Sequence, residues 1–432
     1  MINMTCYIKQ LRRADLGGVQ LSVGQIIKFY REREGMTQAQ LGEGICTATH
    51  ISKIENGKTD YSPEIISLFS QRLNINIHKE IEAFDKIEFM LHCFHEAMIM
   101  NQTKQMENYR KSLEAIPYIT STKYSYFFQL LMGRYWLMKL DKDKVDYLLK
   151  KIEPVLATIY PYEQNLFLHL KGIYYIKYST RKSDHFKAIA VLNKINIKYY
   201  PNPEYYYHLA LAYEYVGSRV ISYFYAEKAL SYFKETNNYL QAIKAESLIL
   251  LQMSDDEFIE VEEKYKRLIH ACDLIGAIDK KGMLLNNLGI SFLKRKQFNE
   301  AYDCLNESLK LTVKQGATYI NRLANYIEIC IEGNLNQRKI LIKKVEDGYT
   351  IAKKEKNYLF VHLFQLYIFV LSKETKAYFM YLEEKAYPYF RENQHLLLMK
   401  KYSRQLLSYY HETNQIEKRA NLACEILEEV LR

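Results

Sequence analysis

Apolar residues near the N-terminus recur at the three- and four-residue spacing of amphipathic helices, in short segments separated by turn residues. The first segment stops at Gly35, and the last begins after Pro63. Residues 36–57 between them predict two short helices joined by a tight turn. The positions expected to face one shared core are Val23, Ile26, Ile27, Tyr30, Leu41, Ile45, Ile51, Ile54, Ile65, Ile66, Leu68, Phe69 and Leu73.

The two central helices carry start and stop signals. Thr37 with Gln40 three residues later predicts a capping box, in which each side chain accepts a backbone N–H of the other residue. A second start is predicted at Thr47, and Gly57 is placed to end that helix. Its outward face carries small, polar or basic residues, as a helix lying in the major groove of DNA requires.

The residues from Thr37-Gln38 through Ile51-Ser52 to Glu55 and Gly57 resemble the lambda-repressor-like (XRE) family of DNA-binding domains, over residues 21–76. The resemblance implies that double-stranded DNA is a partner. It implies that Gln38 holds a phosphate and braces the recognition helix, and that Arg31 pairs with Glu55. An exposed Arg31 stays an open alternative. The residues predicted to contact DNA are Thr37, Gln38, Thr47, Ala48, Thr49, His50, Lys53, Asn56 and Lys58.

The remainder of the 432-residue chain is too long to fold around one hydrophobic core of ordinary size. Gly133, Gly172, Ala210 and Gly289 are separated by 39, 38 and 79 residues, the last being two periods, which predicts stacked helical hairpins. Few Gly and Pro and many Tyr and Phe favour helices packed through aromatic side chains. Two stretches resemble the tetratricopeptide repeat. The matching positions are Tyr206, Leu209, Ala210, Tyr213, Gly217 and Ala229 in the first, and Leu285, Leu288, Gly289, Phe292, Ala301 and Leu305 in the second.

We therefore predict an all-α protein. An N-terminal lambda-repressor-like helix-turn-helix at 21–76 and a linker helix at 77–90 precede a right-handed superhelical tetratricopeptide-repeat solenoid at 91–432, with room for about eight or nine hairpins. The first helix of each hairpin is expected to line a groove.

Charge and cysteine content add limits. The formal charge is +10, yet residues 1–76 hold 9 Lys and Arg against 7 Asp and Glu, or +2, so the motif argues for DNA and the net charge does not. Seven scattered cysteines without CxxC pairs predict reduced thiols in a cytoplasm. No membrane partner is expected.

No enzyme and no cofactor are expected either, because a phosphate-binding Gly loop, a nucleophile elbow and an HExxH motif are absent from the sequence. His92 and His95 share a helical face, but no further ligand pair lies nearby in sequence. We therefore predict no metal site.

Asn287 precedes the small Gly289 and is expected to face the groove, and Asn325 follows one period later, at 38 residues. A side-chain amide donates and accepts at once, so two such residues on neighbouring helices suit the backbone of an extended peptide. Solvated surface asparagines are the alternative reading.

A repressor-like head followed by such repeats resembles the Rap–Npr–Plc–Prg family of peptide-sensing regulators, particularly its Plc and Npr members on Leu-Gly-Glu-Gly-Ile-Cys46 and Ile-Ser-Lys-Ile-Glu55. The resemblance implies that inner-helix asparagines hold a short secreted signalling peptide. Ile327 stands where the small Gly289 should recur, so the frame at Asn325 can be shifted by one helical turn. The peptide-binding candidates are Asn287 and Asn325, the fallback residues Asn286 and Asn321, and Lys294 and Arg322 for a peptide carboxylate.

The combined expectation is a quorum-sensing transcription regulator that acts as a homodimer, because a single head contacts too little DNA for useful specificity. Two alternatives stay open at this point. The repeats can instead bind a protein partner such as a response regulator, or the chain can be a phage lysis–lysogeny peptide receptor of similar architecture.

Overall fold

A computed structural model describes residues 23–59, 62–77, 79–80, 86–117, 119–121, 124–178, 182–253 and 258–431. Positions 21, 22, 60 and 61 of the predicted DNA-binding domain, and positions 78 and 81–85 of the predicted linker, lie outside the described residues. Within the described ranges all regular structure is helical, without a strand. The all-α prediction is confirmed.

Four short helices form the N-terminal head: α1 (Val23–Arg33), α2 (Gln38–Gly42), α3 (Ala48–Glu55) and α4 (Pro63–Arg72). The predicted starts are confirmed. The Thr37 hydroxyl accepts from the Gln40 N–H at 3.2 Å, the Gln40 side chain accepts from the Thr37 N–H at 2.7 Å, and the Thr47 hydroxyl caps α3 at 3.3 Å. Gly57 has a φ of +67° and ends α3 in the left-handed conformation that glycine favours.

The head packs around the predicted apolar positions, with Ile27, Leu41, Ile51, Ile54 and Phe69 fully buried. One expectation was wrong: Leu68 is 43% exposed. Ile66, Phe69 and Leu73 already form the buried stripe of α4, and Leu68 lies two residues from Ile66, about 200° around the helix.

After the head, besides two short 3-10 helices, Ile119–Ser121 and Glu153–Thr158, nineteen α-helices with defined bounds follow within the described residues. They are α5 (Ile87–Ile99), α6 (Thr103–Glu114), α7 (Ser125–Met138), α8 (Lys142–Ile152), α9 (Pro161–Lys177), α10 (Lys182–Leu192), α11 (Tyr205–Val216), α12 (Arg219–Glu235), α13 (Tyr239–Gln252), α14 (Phe258–Leu274), α15 (Ile278–Lys294), α16 (Phe298–Lys310), α17 (Gly316–Glu332), α18 (Arg338–Lys354), α19 (Tyr358–Ser372), α20 (Thr375–Tyr381), α21 (Tyr387–Glu392), α22 (Leu396–Glu412) and α23 (Ile416–Leu431). A π-helical turn, Leu382–Ala386, joins α20 to α21.

The chain divides into two compact units, one containing residues up to 177 with 188–208 and 232–238, the other containing 178–187, 209–231 and 239–432. In the first unit, a Cβ added to Gly133 would overlap Leu148 of the next helix, and one added to Gly172 would overlap Leu192. The small residue at this position therefore does what the sequence predicted, since it lets neighbouring helices approach closely.

The second unit repeats this arrangement. A Cβ on Gly289 of α15 would lie 2.7 Å from Leu305 of α16, and the Ser222 hydroxyl of α12 donates to the carbonyl of Ala210 on α11 at 2.9 Å. One continuous hydrophobic core runs through this unit from Ile243 to Leu422. No helix within the described ranges is both long and apolar enough to cross a membrane.

Candidate functional site

The predicted recognition helix α3 presents an exposed face. Thr47, Thr49 and Lys53 are exposed, and Ala48 and His50 are half-buried. The Thr47 hydroxyl accepts the His50 N–H and so serves as the cap of α3. Asn56 and Lys58 are exposed beyond the end of α3, and the Asn56 amide donates to the Ser52 carbonyl at 2.7 Å.

Arg31 of α1 and Glu55 of α3 form a buried ion pair, which resolves the alternative left open by the sequence. Arg31 Nε donates to Glu55 Oε1 at 2.6 Å and Nη2 donates to Oε2 at 3.1 Å, with side-chain exposures of 10% and 2%. Hydrogen bonding to Glu55 raises the pKa of Arg31. A third bond from Nη1 to the Met36 carbonyl, 2.8 Å long, ties the pair to the segment before α2.

Gln38 completes this cluster. Its Nε2 donates to Glu55 Oε2 at 2.8 Å, so the first residue of α2 is tied to the last residue of α3. The contact that braces the recognition helix is therefore present. The hydroxyl of Thr37, the preceding residue, accepts the Gln40 N–H in the capping box.

Two residues that position the central helices α2 and α3 were not found from the sequence. Gly24 of α1 lies against the backbone of α3, where an added Cβ would overlap the Ile54 carbonyl and lie 2.7 Å from Glu55 Cα. Arg72 of α4 donates to the carbonyls of Leu41 at 2.8 Å and Glu43 at 2.5 Å, which caps the end of α2. An apolar pattern does not mark either contact, because each depends on a residue distant in the chain.

In the second unit, the candidate asparagines lie on neighbouring helices and contact one another. Asn325 Nδ2 of α17 donates to Asn286 Oδ1 of α15 at 2.9 Å, and Asn321 Oδ1 lies 3.5 Å from the same nitrogen. Asn287 Nδ2 turns the other way and donates to the Ser247 hydroxyl of α13 at 3.1 Å. Asn287 and Asn325 are half-buried, Asn321 is exposed, and Asn286 is 8% exposed.

These contacts belong to a series of side-chain hydrogen bonds between successive odd-numbered helices, each joining residues about one repeat apart. We call each such bond a rung. In the second unit the rungs are Glu214–Gln252, Ser247–Asn287, Asn286–Asn325 and Glu328–Tyr367, with sequence separations of 38, 40, 39 and 39 residues. In the first unit, His169 and His208 form the equivalent contact at a separation of 39 residues. The periodicity of about 39 residues therefore extends from small residues to polar ones.

Arg322 does not fit the role predicted for it. It is 6% exposed, and its guanidinium donates to the Ser308 carbonyl at 3.2 Å and to the Thr312 hydroxyl at 2.5 Å. It lies over Gly282, where a Cβ would overlap its Nη1. Burial lowers its pKa. The buried Arg322 thus caps the end of α16 and is not placed to contact a ligand carboxylate. Lys294, by contrast, is exposed at the end of α15.

His92 and His95 of α5 lie among aromatic rings. His95 Nδ1 is 3.2 Å from the Tyr162 hydroxyl, and the His92 ring meets the rings of Phe127 and Tyr162 edge-on. Burial lowers the pKa of both histidines. Within the described ranges no three potential metal ligands lie together.

Comparison with known proteins gives three kinds of similarity. Residues 27–79 match the family described as Helix-turn-helix. The transcriptional activator NprA of Geobacillus stearothermophilus is 22% identical over 399 residues, which cover 87% of this chain and 95% of NprA.

The fold is shared with solved structures. The apo quorum sensor NprR from B. thuringiensis superposes with a TM-score of 0.63 at 17% identity, and NprR in complex with its cognate peptide NprX gives 0.61 at 16%; each comparison covers 80% of this chain and 98% of the other. A Rap protein complexed with competence and sporulation factor gives 0.65 at 13%, covering 80% of this chain and 97% of the other. These similarities identify a helix-turn-helix over residues 27–79 and show that the fold is that of NprR and of the Rap protein.

Proposed function

We propose that this protein is a quorum-sensing transcription regulator, which binds operator DNA through α2 and α3 and is controlled by a short signalling peptide held by asparagines of α15 and α17. The observation that carries the proposal is the placement of Asn286, Asn287, Asn321 and Asn325 on two neighbouring helices, together with a complete helix-turn-helix in the same chain. The peptide complex of NprR, a protein of the same fold, supports a peptide as the ligand.

The head supplies the DNA contacts. Ala48, Thr49, His50 and Lys53 read base edges from α3, and Asn56 and Lys58 meet phosphates. Two heads from a homodimer in the cytoplasm bind two half-sites, since one head buries too little DNA surface for useful specificity. Peptide binding acts through its differential affinity for two arrangements of the dimer. The protein is a regulator and not an enzyme.

Two titrations test the proposal on the full-length protein. Isothermal calorimetry uses synthetic C-terminal fragments, seven residues long, of any short signal-peptide-bearing reading frame beside the gene. Binding of one fragment at micromolar affinity or better supports peptide control. Failure of all fragments favours a protein partner for the repeats.

The second titration measures binding to a selected operator and its point-substituted forms. Lys53→Ala should relax discrimination at one base pair by about 1–3 kcal/mol, because a lost base contact affects one position only. Gln38→Ala should weaken binding to all sites alike, since Gln38 acts on α3 as a whole through Glu55. An unchanged profile for both variants would contradict DNA recognition through this face.

A further inference from the structure

One face of α17 carries two of the candidate asparagines together with two carboxylates. Four polar residues recur at spacings of four, three and four residues and therefore share one side of the helix: Asn321, Asn325, Glu328 and Glu332. Glu328 Oε2 accepts a hydrogen bond from the Tyr367 hydroxyl of α19 at 3.2 Å. Because three residues of a helix rise about 4.5 Å, a ligand held by Asn325 lies beside Glu328.

Lys401 of α22 reaches this face of α17 from two repeats away. Its Nζ lies 2.5 Å from Glu328 Oε1 and 3.5 Å from Glu332 Oε1. Lys401 and Glu328 are 73 residues apart in the chain, whereas each rung of this unit joins residues 38 to 40 apart. We call the contact of Lys401 with the two carboxylates the strap.

The strap bridges over α19. The first helices α17, α19 and α22 follow one another in the stack, and repeats of such a stack normally contact only their neighbours. A side chain that joins α17 to α22 must therefore pass over α19, where Tyr367 is 6% exposed and bonds to Glu328. A peptide that continues from Asn325 onto α19 meets the strap.

The length of the ligand decides whether it meets the strap. Neighbouring helices pack about 8–10 Å apart, and an extended peptide advances about 3.4 Å per residue, so each further helix takes about three residues. A peptide of about four residues can stay on α15 and α17. A heptapeptide is long enough to reach α19.

We propose that the ion pair of Lys401 with Glu328 closes the groove at α19 in the free protein and thereby determines which peptide lengths bind. A peptide that crosses α19 must first open the strap, and no covalent bond changes. The two side chains are partly exposed, at 33% and 28%, so opening the pair lowers the peptide affinity only about two- to five-fold. The proposal rests on the peptide-binding function proposed above and deepens it by naming a determinant of ligand length.

Two variants of opposite charge test the strap. Lys401→Met and Glu328→Gln each remove the ion pair from the free protein, so each should raise the affinity for a heptapeptide by about two- to five-fold. The double variant Lys401→Met/Glu328→Gln should gain no more than either single variant, because the same pair is lost. Replacing a side chain that contacted the peptide directly would lower the affinity instead.

Lys418→Met is the matched control. Lys418 of α23 forms an ion pair with Glu383 of the π-helical turn at 2.7 Å, and its loss should leave the peptide affinity unchanged. Salt gives a second readout. At 1 M, where the Debye length is about 3 Å, the difference in affinity between the wild type and Lys401→Met should shrink.

The probe is a synthetic heptapeptide, selected by display on the full-length wild-type protein with counter-selection against Asn325→Ala. Two shortened forms lack three residues at one end or at the other, and calorimetry gives the affinity of each form for each variant. One shortened form should bind the wild type and Lys401→Met equally, because it no longer reaches α19.

An unchanged or lower heptapeptide affinity in Lys401→Met or in Glu328→Gln would overturn the strap while leaving the peptide site intact. A full gain retained by both shortened forms would overturn it too. If display yields no peptide that depends on Asn325, the peptide site itself is contradicted and the strap with it.

Discussion

The guanidinium of Arg31 holds both carboxylate oxygens of Glu55, with Nε 2.6 Å from Oε1 and Nη2 3.1 Å from Oε2. The pair joins the first helix of the head to the end of the recognition helix, and Gln38 adds a bond from α2 to the same carboxylate. Three helices thus meet at one buried side chain. The orientation of α3 relative to α1 and α2 depends on this cluster.

Breaking the pair should be costly. Arg31→Ala or Glu55→Ala leaves an uncompensated buried charge and is expected to lower the free energy of unfolding of the head by about 3–5 kcal/mol. Glu32→Ala is the matched control, because its carboxylate also contacts Arg31, at 3.3 Å, but is 56% exposed and should cost under about 1 kcal/mol. Urea unfolding of the three variants, monitored by the loss of operator binding, measures these changes in the free energy of unfolding. Equal, small effects would contradict a buried pair.

Gly24 should not tolerate a side chain. Gly24→Ala places a methyl group on the Ile54 carbonyl, so α1 must move away from α3 and part of the core around Ile27 and Ile51 must open. We expect a loss of at least about 2 kcal/mol and weaker DNA binding. Gln25→Ala, exposed on the same helix, is the control and should change neither quantity. Native stability in Gly24→Ala would mean that the helices are farther apart than described.

These residues show which features can be read from a sequence. Thr37 and Thr47 were predicted as caps because a cap bonds to an N–H three residues away, so the signal is local. Gly24 and Arg72 act on backbone from other helices, and no local pattern marks such contacts.

In the repeat region, too, the feature with a regular sequence signal was predicted, and the contact that depends on packing between helices was missed. The spacing of Gly133, Gly172, Ala210 and Gly289 identified close helix approach correctly, because sterics at a helix crossing recur with the repeat. Arg322 was assigned to a ligand carboxylate by its proximity to Asn325 in sequence. Its actual partners, Ser308 and Thr312, belong to the preceding helix and its end, and only the packing of α16 against α17 reveals them.

Arg322→Ala should therefore destabilise the second unit and leave its ligand chemistry alone. Losing the guanidinium exposes unpaired carbonyls at the end of α16 and a cavity over Gly282, for an expected loss of about 2–4 kcal/mol in the free energy of unfolding. Lys294→Ala, exposed on α15, should have no measurable effect on stability. Chemical unfolding followed by near-UV circular dichroism checks this. If the Arg322→Ala protein keeps its stability but loses peptide affinity, Arg322 contacts the ligand carboxylate after all.

Glu163 gives the first unit a pH dependence. It is 4% exposed, and burial raises its pKa to about 7 from an ordinary value of 4.5. Because the folded pKa lies above the unfolded one, its contribution to stability is complete below about pH 4.5 and is lost as the pH rises through about 7.

Glu163→Gln removes this titration. The variant should be more stable than the wild type at pH 8, by up to about 3 kcal/mol, and the difference should shrink toward pH 5. Urea unfolding at both pH values measures it, with Glu153→Gln, exposed in the same unit, as the control. A difference that does not vary with pH would show that Glu163 does not titrate in this range.

The most direct test of peptide control is the calorimetric affinity of the full-length protein for its cognate peptide, compared with Asn287→Ala and Asn325→Ala. In the proposed site each of these amides exchanges two hydrogen bonds with a peptide backbone, so removing one should lower the affinity about 5- to 150-fold. Because each amide also forms a rung, to Ser247 or to Asn286, the free variants should lose about 1 kcal/mol of stability at most. Wild-type affinity in both variants would contradict the assignment of these asparagines to the peptide site.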